Sequence, residues 1–171
     1  RRDGIFLAGH SCGAVVSALA AARLDTVSAL ALIEPVATQP LTALLARTPV
    51  WPLISRRMRM VRSALQRRAQ WPGLSAVRAS YLRKRLFKAW SPAALDGYLE
   101  DGFAPLAQGV ALACSPEWEA ATYAAQGHDF WSAMRRAGPI TRILAAEHGS
   151  STLFGAAERR FVHLGAEVTR L

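Results

Sequence analysis

A serine stands between two glycines in Gly9-His10-Ser11-Cys12-Gly13, a G-x-S-x-G spacing. Apolar Ile5-Phe6-Leu7-Ala8 leads into it, and the Ala-rich AVVSALAAARL follows. The first run reads as a buried strand and the second as a helix. A serine on the tight turn between them projects its hydroxyl above the end of a sheet. Flanking glycines, Gly9 and Gly13, would let strand and helix approach without Cβ clashes. The chemistry that suits this placement is nucleophilic attack, with Ser11 as nucleophile and the backbone N–H of Cys12 as one oxyanion donor. The helix N-terminus beyond it favours developing negative charge. The competing reading makes Ser11 an ordinary helix cap on a strand-to-helix turn.

The elements around that turn follow from apolar patterning. Val27 to Ile33 is a second buried strand, ending at Glu34-Pro35. Strand, helix and strand within about thirty residues is the length of a right-handed βαβ crossover, which implies a parallel sheet. From Leu41 to Ala137 the pattern is helical and broken by prolines. Leu53 to Ala69 reads as one helix with Ile54, Met58, Val61 and Leu65 on a stripe, and Ser75 to Lys88 as another. Ser91-Pro92 and Ser115-Pro116 each open a helix, with serine as cap and proline in the first turn. Gly109 to Cys114 reads as a short strand or extended link. Ile140 to Ala146 resumes the strands, Glu147 to Ser151 is a loop, Leu153 to Leu164 a helix closed by Gly165, and Glu167 to Leu171 a further strand. The domain limits that follow are 1–38 with 138–171 for a core, and 39–137 for a helical insertion.

Composition bounds the possibilities. The 171 residues are 51% hydrophobic and 19% charged, which is a globular balance with room for one core. No apolar run reaches the ~18 uncharged residues of a membrane span. Cys12 and Cys114 have neither disulfide nor metal-ligand spacing, so no metal site is expected and a reducing cytoplasm is the expected compartment. Lys and Arg number 21 against 12 Asp and Glu, and no acid occurs between Glu34 and Asp96. Arg56, Arg57, Arg59, Arg62, Arg67 and Arg68 fall in that span, with Arg78, Arg83, Lys84, Arg85 and Lys88 beyond them. The basic residues alternate with apolar ones at helical spacing, as on a solvated helix face. No nucleic-acid motif is present, so a specific nucleic-acid partner is not expected.

The chain resembles the α/β-hydrolase family. GHSCG is similar to that family's nucleophile elbow, VSALALIEPV to its following strand, the proline-interrupted helical insertion to its cap, and ITRILAAEHGS to the strand and loop after the cap. The resemblance implies an α/β fold, a partial parallel sheet with a helical cap insertion. It implies Ser11 as nucleophile and one of two acids as its distant partner. Glu34 ends the strand after the elbow helix, a placement used by some members. Glu147 lies near the more usual place, although the position itself falls closer to Gly149 or Ser150. Either glutamate also reads as structural.

The resemblance implies a catalytic histidine after the last strand, and none of His10, His128, His148 and His163 matches it. Strands and an oxyanion loop before the elbow are likewise unmatched. The chain therefore reads as a fragment: elbow, cap and the first part of the C-terminal half. The implied activity is esterase-like acyl hydrolysis of a small apolar or aromatic substrate, selected by a cap containing Trp51, Trp71, Trp90, Trp118 and Trp131, with no cofactor. A serine at the elbow speaks against the aspartate chemistry of dehalogenases and epoxide hydrolases. The alternative is a catalytically incomplete hydrolase-like protein whose basic helical segment binds an anionic partner. Oligomeric state is not legible.

Overall fold

The computed structural model describes residues 4–137, 140–150 and 156–171. In chain order its first elements are β1 (Ile5–His10), α1 (Cys12–Ala21), β2 (Val27–Ile33) and α2 (Pro40–Leu45). Then come α3 (Trp51–Ser55), α4 (Arg59–Leu65), β3 (Gln70–Trp71), α5 (Leu74–Tyr81), α6 (Arg85–Lys88) and α7 (Pro92–Asp101). β4 (Phe103–Pro105), β5 (Val110–Leu112), α8 (Pro116–Ala124) and α9 (Phe130–Arg136) follow. The chain closes with β6 (Ile140–Ala145), α10 (Ala157–His163) and β7 (Glu167–Arg170). Two compact units result, 1–48 with 126–171 and 49–125. From sequence, the corresponding limits fall at 38/39 and 137/138.

In the first unit the described strands form a parallel sheet in the order β1-β2-β6-β7. Parallel pairing is what the βαβ spacing requires, since only a crossover can return the chain to the same edge. Leu30 and Leu32 of β2 and Ile143 of β6 point to one face and are essentially inaccessible. There they join Ala14 and Ala18 of α1, Phe130 and Trp131 of α9 and Phe161 of α10 in one core. Each fully buried large side chain of this kind stabilises by about 1.5–3 kcal/mol. On the opposite face Phe6 and Ile140 are 77% and 75% exposed. α10 stops where Gly165 takes φ +80°, the left-handed geometry that ends helices. The expected start of that helix at Leu153 lies outside the described residues, as does Ser151 of the preceding loop.

The second unit is helical with a small antiparallel sheet, β3-β5-β4. Its core is aromatic: Trp71, Tyr81, Phe87 and Phe103 pack with Leu95 and Leu99. Two sequence expectations are corrected here. The helix read across Leu53 to Ala69 is two, α3 and α4, because Met58 is extended at ψ 134°. The helix read across Ser75 to Lys88 is likewise two, α5 and α6, broken at Lys84, also at ψ 134°. Among the described residues no helix is long and apolar enough to cross a membrane.

Candidate active site

The C-terminal ends of β1, β2 and β6 lie along one edge of the sheet, and each carries a residue singled out from sequence. His10 pairs with Ile33, and Ile33 with Leu144, so the three strands end nearly in step. Ser11 N–H donates to the Ile33 carbonyl at 2.9 Å, and Glu34 N–H to the Leu144 carbonyl at 2.8 Å. Glu147 N–H donates to the Leu171 carbonyl at 2.7 Å. Each turn is therefore hooked to the next strand along the edge.

Ser11 occupies the N-cap position of α1 with φ 55° and ψ −117° and makes no side-chain capping bond. Two other serines provide a comparison within the same chain. Ser91 and Ser115 sit at N-caps with φ −65° and ψ near 150°, and their hydroxyls accept from Ala94 N–H and Trp118 N–H. Those two act as caps. Ser11 has a backbone costing about 1–3 kcal/mol for a non-glycine residue and obtains no cap in return. The first N–H groups of α1, beginning with Cys12, have no acceptor within their own helix, and they lie beside the half-buried Ser11.

The two elbow glycines have different roles. A Cβ on Gly9 would lie 2.4 Å from the Gly13 carbonyl carbon and oxygen and 2.6 Å from Ala14 N, so strand and helix backbones meet there. A Cβ on Gly13 meets nothing within 4 Å. The close approach expected of both glycines thus rests on the missing Cβ of Gly9, with the Gly13 backbone as the surface it abuts.

Glu34 also has positive φ, 45°. Its side chain is half-buried, and Oε1 accepts from Ala146 N–H at 2.7 Å. The carboxylate is thereby held between the ends of β2 and β6. Glu147 is different: its side chain is 72% exposed and approaches His148 Nδ1 at 3.7 Å, itself 87% exposed. With strands about 4.8 Å apart, Glu34 follows the strand next to that of Ser11, and Glu147 follows the one beyond.

The four histidines come from four separate segments of the chain. His10 pairs on the face shared with Phe6 and Ala8, by strand alternation. His148 lies in the loop after β6, His163 is exposed in the last turn of α10, and His128 lies just before α9. Both cysteine thiols are free and exposed.

A cleft of about 430 Å³ opens in the same unit, bounded by Gln39, Pro40, Leu41, Trp131, Ala157 and Arg160. Its walls are the segment after β2 and the first turns of α9 and α10. The Trp131 indole N–H donates to the Thr38 carbonyl at 3.1 Å, and the Arg160 guanidinium lies 4.4 Å from the indole ring centre. Of the five tryptophans, Trp51, Trp71 and Trp131 are buried, while Trp90 and Trp118 are exposed. Gln39 and Arg160 are absent from the sequence candidates, since no motif marks them and only the fold brings them together.

No protein-family model and no curated protein sequence matches the chain. Solved structures do. E-2-(acetamidomethylene)succinate hydrolase superposes with TM-score 0.69 at 22% identity, over 99% of this chain and 59% of that one. The thioesterase domain from the curacin biosynthetic pathway gives 0.63 at 16%, over 100% and 59%. The enol-lactonase from Burkholderia xenovorans LB400 gives 0.52 at 16%, over 99% and 57%.

The chain has part of an α/β-hydrolase fold. It spans about three-fifths of the length of these structures. Within that fold, Ser11 is the residue at the strand-to-helix turn, and Glu34 and Glu147 follow the next two strands of the sheet.

Proposed function

We propose that the protein is a serine hydrolase of the α/β-hydrolase type, acting on ester-like acyl substrates. The observation that carries this is the backbone of Ser11: strained, half-buried, at an N-cap and yet not capping. In this reading the Ser11 hydroxyl attacks the acyl carbonyl. The developing oxyanion receives the Cys12 N–H at the positive end of α1. A histidine takes the Ser11 proton and passes it to the leaving group, and water then releases the acyl-enzyme. Glu34 orients that histidine; its pinned, half-buried carboxylate and its place on the neighbouring strand favour it over exposed Glu147. The cleft beside Trp131 offers an apolar or aromatic acyl substrate its binding surface.

The base is proposed to come from outside these 171 residues, as in the fragment reading. Support comes from the share of the solved structures that the chain spans. The compartment proposed is the cytoplasm. The test is fluorophosphonate labelling and p-nitrophenyl ester turnover of the protein with its flanking sequence, wild type against Ser11→Ala. A labelled Ser11 and turnover lost in the variant are expected. Turnover that survives Ser11→Ala would end the reading. Ser11-dependent multiple turnover by the 171 residues alone would make one of their own histidines the base.

A further inference from the structure

We infer that the second unit contains a separate binding site for a small phosphorylated molecule, in a basic cleft between the end of α4 and the turn into α6. The cleft holds about 320 Å³ and is bounded by Gln66, Arg67, Arg68, Tyr81, Lys84 and Phe87. This is the lower end of the ~300–1,000 Å³ range of small-molecule sites.

Three cations line the cleft: Arg67, Arg68 and Lys84. Arg67 pairs with Glu119 at 3.1 Å, and Glu119 also accepts from the Tyr123 hydroxyl at 3.0 Å. Arg68 and Lys84 have no carboxylate partner among the described residues. Aromatic faces and a carbonyl hold them instead. The Lys84 ammonium stands 4.3 Å from the centre of the Tyr81 ring, and the Arg68 guanidinium 5.2 Å from that of Trp71. Arg68 Nε donates to the Gln70 carbonyl at 2.7 Å. Contacts of this kind fix a cation in place without neutralising it. Partial desolvation first, and the Arg67 charge second, hold the Lys84 ammonium below its ordinary pKa.

Positioned, mutually repelling cations around a cavity are complementary to a compact multivalent anion. A phosphoryl group matches in charge and in acceptor number: a guanidinium can bind it bidentately and an ammonium as a point charge. The Ser63 hydroxyl and the Gln66 amide border the same space and can donate further. Phe87 and Leu86 supply an apolar wall, so the molecule carries an apolar or aromatic portion beside its phosphate. An even coating of surface charge would not require Lys84 and Arg68 in particular. The cleft therefore differs from the solvated arginines between α3 and α4, of which Arg57 is an exposed example outside it.

The test is calorimetric titration of the full chain with inorganic pyrophosphate at fixed ionic strength, for wild type, Lys84→Gln, Arg68→Gln and Arg57→Gln. The charge change is the same in all three variants. Saturable binding is expected, weakened at least fivefold by the first two and less than twofold by Arg57→Gln. Circular dichroism verifies the fold of each; Lys84 and Arg68 are both exposed, so loss of structure is not expected. Absence of saturable binding overturns the site, and so does equal weakening by all three variants, which would mark diffuse electrostatics. A second arm distinguishes the source of the phosphate. Sedimentation with phosphatidylcholine vesicles containing phosphatidic acid, competed by pyrophosphate and lost in Lys84→Gln, identifies a lipid headgroup. Pyrophosphate binding without sedimentation identifies a free phosphorylated molecule. Both results retain the site.

Discussion

Ser11 and Glu34 directly follow paired residues of two adjacent parallel strands, and both have positive φ. His10 pairs with Ile33, and Ser11 N–H closes the ladder onto the Ile33 carbonyl. Two strained, non-glycine residues one strand apart at the same edge are rarely the cheapest way to finish a sheet. Strain of this kind persists where the surrounding structure over-determines it, and it concentrates at functional sites. The proposed nucleophile and the carboxylate proposed to act with it are these two residues.

The Ser11 backbone makes a prediction of its own. Ser11→Gly removes the positive-φ penalty and raises the unfolding free energy by about 1 kcal/mol, while abolishing turnover. Ser11→Ala abolishes turnover without that gain. Ser91→Ala and Ser115→Ala each lose about 1 kcal/mol, as capping serines do. Urea denaturation of the four variants measures the stabilities, and p-nitrophenyl ester hydrolysis by the protein with its flanking sequence measures the turnover of the Ser11 variants. A loss of stability in Ser11→Gly comparable to the Ser91→Ala loss would show that Ser11 is a cap after all.

Substitution of the elbow glycines is expected to act with opposite signs. Gly9→Ala drives a methyl into the backbone of Gly13 and Ala14, which cannot yield as a flexible side chain would. A loss of about 3 kcal/mol is expected, typical of overpacking. Gly13→Ala meets open space inside α1 and gains roughly 0.5–1 kcal/mol from helix propensity. Thermal denaturation of the two variants should move the midpoint in opposite directions.

Much of this arrangement is legible in the sequence, and the reasons are local. The crossover from Ile5 to Ile33, the Ser-Pro starts at Ser91 and Ser115 and the stop at Gly165 all depend on neighbours within a few residues. The breaks near Met58 and Lys84 are not legible, because no proline or glycine marks them and the apolar stripe runs straight through. β3 and β4 are too short to show a period. The bond from Ala146 N–H to Glu34 joins residues 112 apart, and only the finished sheet creates it. The same holds for Arg160 over Trp131. Ser11 was legible as a serine on a turn, whereas its failure to cap is a matter of dihedral angles that no residue type encodes.

The two acids are separable by experiment. Glu34→Gln keeps an acceptor for Ala146 N–H but removes the charge. It is expected to lower kcat/KM of the protein with its flanking sequence by at least about a hundredfold, in the range for a group supporting acid–base catalysis. Glu147→Gln alters an exposed side chain and is expected to leave kcat/KM within about threefold. The reverse ranking would transfer the orienting role to Glu147.

Tyr81 makes the stability of the second unit sensitive to alkali. Burial first, and neighbouring Tyr98 second, push its hydroxyl from 10.0 up to about 12. Below pH 10 the phenol is neutral in both folded and unfolded chains, and the contribution is fully present. As pH rises from 10 toward 12, the unfolded chain releases the proton while the folded one retains it. Stability therefore falls, at about 1.4 kcal/mol per pH unit for one group. Above pH 12 both forms are ionised and the slope ends. Tyr123 is shifted in the same direction by burial and by its bond to Glu119, so it adds to the decline. Tyr81→Phe should flatten most of the slope between pH 10 and 12 in urea denaturation followed by tryptophan fluorescence. An unchanged slope would mean that Tyr81 ionises as freely in the folded chain as in the unfolded one.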